Sequence, residues 1–252
     1  MPVFPPNYPI YYFKEIHHAE EIAHPRFLRF GRTRLRAACG RALRIWIEQD
    51  EMHHARLYFG EYQDQEREVS GGRLDEIKAP RAWVLDANGK RQEVKVARKD
   101  NHFDLGMIPN RGSSVLAEEL AYEVKDWTKP GIGIVKPMFY ARFSPLPERS
   151  GTKPELMLDI LPGSEAHAFT VYFRNAPLAK TKVMVYAPNF WMQEHPTDEN
   201  GKVKITTPWP GQYVLEVIYL EKQAGEFQGQ KFEAFRHRAT LTFNIPASPN
   251  DK

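Results

Sequence analysis

Between Leu43 and Ile245 the apolar residues fall into short runs broken by Gly, Pro, Asn and Asp, the pattern of strands joined by turns. Runs at 45–47, 55–61, 81–86, 92–97, 101–105, 138–143, 156–161, 168–174, 183–186, 202–206, 213–220 and 232–245 read as strands rich in β-branched and aromatic residues. The stretch 113–127 is open. Leu116, Leu120 and Val124 recur every four residues as in a helix, while Tyr122 and Val124 suit the edge of a sheet.

The plainest signals lie between 197 and 220. Asn200-Gly201 supplies residues that accept positive φ in a tight hairpin turn, and Val203 and Ile205 alternate with Lys202, Lys204 and Thr206. The run 213–220 carries a single charge, Glu216, so both of its faces are expected to be covered. Asn88-Gly89 marks a second turn of the same wording, Asp-x-Asn-Gly-Lys at 86–90 and again at 198–202. The order Pro177-Leu178-Ala179, then Thr197-Asp198 with Gly201-Lys202-Val203, then Pro210-Gly211-Gln212-Tyr213-Val214-Leu215 resembles the prealbumin-like sandwich modules of bacterial surface and periplasmic proteins. The expectation is an all-β chain of two β-sandwich domains, immunoglobulin-like or prealbumin-like, with few short helices. The domains are placed at 43–147 and 155–246, with a proline-rich linker at 148–154, an amino-terminal extension at 1–42 and a polar tail at 247–252.

Charge changes this picture only at the start of the chain. The formal charge of the 252 residues is +3, but residues 1–44 hold eight Lys or Arg against three Glu, which leaves the body slightly acidic. The basic character belongs to the extension, so the body is not expected to bind nucleic acid. An apolar core of about 7–15 residues, which a secretory signal needs, is absent from the extension, and no run approaches the roughly 20 apolar residues of a transmembrane helix. The single cysteine, Cys39, leaves no intrachain disulfide.

Several blocks together are similar to one bacterial family. They are Ile45-Trp46-Ile47-Glu48, the run from Ala55 to Tyr62, Ser70-Gly71-Gly72-Arg73-Leu74-Asp75, the run from Gly131 to Pro137, Pro208-Trp209-Pro210-Gly211, and Arg236-His237-Arg238-Ala239-Thr240-Leu241. The family consists of periplasmic accessory proteins of nickel or cobalt uptake, encoded beside outer-membrane TonB-dependent receptors. The resemblance implies a periplasmic location, a divalent transition metal (Ni, Co, Cu or Zn) as ligand, and a TonB-dependent receptor or transporter component as partner. Members carry a histidine three residues before the tryptophan of the first strand. Leu43 stands there in this chain, so a chelate of terminal amine and imidazole is not available at that position.

Histidines are the only candidates for site chemistry, and no catalytic residue is assigned. Neither glycine cluster has the spacing of a phosphate loop, and no local signature sets a nucleophile beside a histidine, so an enzyme is not expected. His53 and His54 fall in a predicted turn where adjacent imidazoles can converge; His102 and His237 fall in family-like blocks on predicted strands. These four are the candidate metal ligands, each weighed against an ordinary surface or structural histidine, and His237, set between two arginines, is expected to face outward. His195 and His167 are weaker candidates, and His17, Glu21 and His24 share helical spacing within the extension. Phe190, Trp191 and Trp209 have two readings. Exposed together they form a partner patch; buried, they plug the loops of the second sandwich.

Overall fold

The computed structural model describes residues 43–86, 88–108, 112–144 and 153–247, so the expectations for the extension, for Cys39 and for the linker residues 148–152 lie outside the described residues. In chain order the first strands are β1 (Arg44–Gln49), β2 (His54–Glu61), β3 (Glu66–Arg67), β4 (Arg81–Leu85), β5 (Arg91–Val94), β6 (Ala97–Arg98), β7 (Phe103–Met107), β8 (Ser114–Glu119), β9 (Lys125–Trp127) and β10 (Gly133–Phe143). They continue with β11 (Leu158–Pro162), β12 (Ala168–Phe173), β13 (Ala176–Pro177), β14 (Lys182–Tyr186), β15 (Met192–Pro196), β16 (Lys202–Lys204), β17 (Gly211–Glu221), β18 (Gly225–Phe227), β19 (Gln230–Phe232) and β20 (Ala234–Ile245). Two short 3-10 turns, Tyr62–Asp64 and Arg73–Glu76, are the helical elements among the described residues. No helix there is long and apolar enough to cross a membrane.

The chain is all-β, and its two halves share one long sheet. A nine-stranded sheet runs β15-β14-β17-β20-β10-β8-β4-β5, with β9 beside β10. It takes its first strands from both sides of the expected linker, because β10 and β20 pair in parallel from Val135 and Ala234 to Phe143 and Thr242. The described residues accordingly all belong to one compact unit, and the expected boundary at 148–154 falls inside it. A four-stranded sheet of β11, β12, β13 and β16 lies on one face of the long sheet, and a five-stranded sheet of β1, β2, β3, β6 and β7 on the other.

Strand alternation produces this layering. Trp83, Leu116 and Tyr140 face the core shared with Ile160, Phe169 and Val171, whereas their neighbours Ala82, Ala117 and Phe139 face the core shared with Ile45, Leu57 and Phe103. That double burial decides the open stretch 113–127: β8 is a central strand, covered on both faces, so its apolar residues show no clean period of two. The same holds for β17, where Glu216 is buried between β14 and β20.

β1 stands with its free edge against β20. Its outward carbonyls at Leu43 and Ile45 accept from the Arg238 guanidinium and from Thr240 Oγ1, the latter at 2.9 Å. An otherwise unpaired edge is thus closed by side chains. Beyond β1, Glu216 takes Arg44 at 2.9 Å, Arg238 at 2.8 Å and the Tyr186 hydroxyl at 2.7 Å. Burial opposes ionisation of Glu216, yet Arg238 and Arg44 hold its carboxyl below the usual range.

A second buried pair ties the layers together. Arg142 on β10 donates to both carboxylate oxygens of Asp159 on β11, at 2.9 and 2.7 Å, and both side chains are fully buried. Asp159 also accepts the backbone N–H groups of Glu155 and Ile160, each at 3.0 Å. Removing one partner strands the other charge in the core. Asp159→Ala is therefore expected to lower unfolding stability by about 3–5 kcal/mol in urea titration, and a loss under about 1 kcal/mol would contradict this role.

Candidate functional site

One turn is built three times, and its copy at Asp50 positions His53 and His54. Asp86 Oδ1 accepts the N–H groups of Asn88 and Lys90 at 2.8 and 2.9 Å, and Asp198 Oδ1 those of Asn200 and Lys202 at 2.8 Å each. Gly89 (φ 78°) and Gly201 (φ 71°) take the left-handed position in each. The third copy is Asp50 to His54, in which Asp50 Oδ1 accepts from Met52 and His54 at 3.0 and 2.9 Å and His53 (φ 62°) fills the glycine position. Histidine is among the residues that tolerate that conformation. His53 is thus placed by the backbone geometry of its turn, and His54 opens β2. The turn at 198–202 does not close a hairpin within one sheet, as expected of Asn200-Gly201. It passes the chain from β15 in the long sheet to β16, which pairs with β12 in the four-stranded sheet.

His54 and His102 line a shallow cleft of about 390 Å³ together with Arg56, Lys99, Asp100 and Asn101. His54 Nε2 lies 2.8 Å from Asp104 Oδ1, and His102 Nδ1 lies 2.8 Å from Asn101 Oδ1. Burial, and then the Arg56 charge, push the His102 imidazole below its ordinary value. Burial opposes ionisation of Asp104, but the Gly106 N–H and His54 hold its carboxyl low. The cleft therefore offers two imidazoles near a carboxylate, with two cationic side chains in the same wall. Among the described residues no group of three or more His, Cys, Asp or Glu side chains is arranged to hold a metal ion.

His237 does not face outward as its flanking arginines suggested. It is 1% exposed, packed against Tyr140, Phe173, Tyr219 and Phe235. On β20, residue 237 shares a face with the core residues Ala239 and Leu241, while Arg238 and Thr240 take the other. Both ring nitrogens are engaged: Nδ1 lies 3.1 Å from the Tyr140 hydroxyl and Nε2 3.1 Å from Glu221 Oε2. Glu221 is in turn held by Arg174 at 2.8 Å. His237 shares none of these neighbours with His53, His54 or His102. His195 Nε2 lies 3.0 Å from Gln193 Oε1, and His167 Nδ1 lies 2.7 Å from Thr207 Oγ1.

The aromatic candidates divide. Phe190 packs against Tyr62 in a small cluster with Trp46, Tyr58 and Tyr186. Trp191 and Trp209 meet edge to face at 5.4 Å and remain 48% and 38% exposed, with Met192 beside them at 47%. Trp191 and Met192 lead into β15, a strand that 192–196 (Met-Gln-Glu-His-Pro) gave no apolar run to announce. At its far end, His195 and Pro196 border a groove of about 790 Å³ with Thr170 and Tyr172 of β12 and Lys202 and Lys204 of β16. Between the two ends, Gln193 Nε2 donates to the Thr206 carbonyl at 2.9 Å.

Compared with known families and with curated proteins, the chain matches no family model and no curated protein.

Burial acts first on His237 and lowers its proton affinity, although Glu221 pulls the other way. A histidine whose folded value lies below its unfolded value of about 6.5 makes the unfolded chain bind more protons, so stability is full above that pH and falls as the pH drops below it. Urea stability is expected to decline from pH 7.5 to pH 5.5, with a shallower slope in His237→Gln. Equal slopes in the two proteins would contradict the assignment.

Proposed function

We propose that the chain is a non-enzymatic binding module whose second half docks a protein partner through the surface of Trp191, Met192 and Trp209. One observation carries it: two tryptophans hold each other on the surface at the start of an edge strand, with the exposed Met192 next in the chain. Exposed tryptophan is the residue most often found at the energetic centre of protein interfaces, and contiguous apolar surface is otherwise kept small. The resemblance to periplasmic uptake proteins supports an envelope location and a receptor or transporter component as the partner. For a Trp191→Ser, Trp209→Ser double variant, unfolding midpoint is expected to change little, because both side chains are substantially exposed. Recovery of a partner from solubilised envelope by the tagged chain is expected to fall at least tenfold; equal recovery would overturn the assignment.

A second reading rests on the cleft of His54 and His102, where two of the candidate ligands share a wall with carboxylates near by. There the module takes up a divalent transition metal, as the family resemblance implies, with neutral imidazoles as ligands. Arg56 and Lys99 oppose it by charge. Calorimetric titration with Ni²⁺, Co²⁺, Cu²⁺ and Zn²⁺ tests it: stoichiometric micromolar binding lost in His54→Ala and His102→Ala supports this reading, and heats no larger than those of the double variant dismiss it.

A further inference from the structure

We infer that the partner is received as an extended peptide segment, added as a further strand to the free edge of β15; this rests on the docking surface proposed above. The edge follows from the register. β14 and β15 exchange backbone bonds at Ala187 with Trp191 and at Thr181 with Thr197, so by antiparallel alternation Gln193 and His195 bond inward to β14. Met192, Glu194 and Pro196 then turn their backbone groups outward. That edge presents two N–H groups and three carbonyls, Pro196 having no N–H, and among the described residues these groups have no hydrogen-bond partner. An array of alternating backbone donors and acceptors at strand spacing is matched by another extended backbone, and by little else.

The opposite end of the long sheet shows what a guarded edge looks like. β5 carries Arg91 and Glu93 on its exposed edge, with Glu93 tied to Arg81 and Arg91 over the Trp83 ring. Charges of this kind discourage strand addition. β15 carries one such pair, Glu194 with Lys182 at 2.9 Å, but adds the Trp191–Trp209 pair at one end and, about 13 Å further on by strand rise, the groove beside His195. In that groove Lys202 has no carboxylate partner among the described residues, whereas Lys204 has Glu165 at 3.8 Å. The complementary segment is a run of about five or six extended residues with an aromatic or large apolar side chain at the Trp end. Four to five positions away it carries Asp, Glu or a chain-terminal carboxylate for Lys202.

The test uses the full chain and a random heptapeptide phage library. Selected peptides are expected to share an apolar residue and a carboxylate at that spacing. N-methylation of alternate backbone amides in a selected peptide should weaken binding at least tenfold, and methylation in the intervening register should leave it unchanged. Glu194→Pro removes one edge N–H without touching the β14 ladder, and edge strands accept proline there; it should cost at least tenfold in peptide affinity with the unfolding midpoint kept. Loss of both peptide and partner in the Trp double variant, with Glu194→Pro fully active, would leave the docking surface standing and overturn strand addition. Full activity in all variants would overturn both. A selection without binders, or a concentration-dependent dimer abolished by Glu194→Pro, would also overturn the peptide assignment, the latter in favour of a second copy of this chain.

Discussion

The parallel pairing of β10 with β20 is the constraint on which the rest of this structure depends. Parallel neighbours cannot be joined by a tight turn, and here the connection between them is the whole run of chain from 144 to 233. That connection carries β11 to β19, which supply the four-stranded sheet, the β18–β19 ribbon and three strands of the long sheet. Once β20 returns to lie beside β10, it also serves as the neighbour of β17, so one strand closes both halves of the long sheet. The halves therefore share the long sheet and its core residues, while each keeps one smaller sheet of its own. Pairings so distant in sequence must bring together chain segments at considerable loop-closure cost, which predisposes such folds to slow folding.

β20 also explains why polar residues sit so deep. Its one face supplies Ala239, Leu241 and Phe243 to the apolar core, and its other supplies Arg238 and Thr240 to close the carbonyl edge of β1. The guanidinium that does this needs a counter-charge, and Glu216, directly on the neighbouring strand, meets both it and Arg44. Replacing such a set with apolar residues is often neutral for stability elsewhere, but an apolar β20 would leave the β1 carbonyls unbonded. The ionic cluster is thus tied to a geometric need, the seating of an edge strand on a sheet face. The Arg142–Asp159 pair meets a similar need between the long and the four-stranded sheets.

The sequence made the class of fold and most strands legible, because turns and alternation are local. The Asp-x-Asn-Gly-Lys wording at 86–90 and 198–202 is one turn chemistry, and both copies form. The third copy at Asp50 was not legible as such, since histidine stands where the others have glycine. The sharing of one long sheet by the two halves was not legible for a different reason: which strands pair across 90 residues leaves no mark in local pattern, and β10 reads the same whether it ends one sheet or joins two. His237 misled because the arginines beside it, normally a sign of a wet face, have partners of their own: Arg238 is drawn inward by Glu216 and the β1 edge, and Arg236 lies over the Trp127 ring. β15 was invisible because an edge strand facing solvent needs no apolar run, and its significance comes from what its backbone lacks.

In the reading proposed above, function rests on a backbone edge that ends at two exposed tryptophans. Residue-resolved amide hydrogen exchange on the free protein tests that edge most directly. The account predicts protected amides at Gln193 and His195, bonded inward to β14, and nearly unprotected amides at Met192 and Glu194, which alternate with them. Protection of Met192 and Glu194 equal to that of their neighbours would mean that the edge is already closed, and would contradict it.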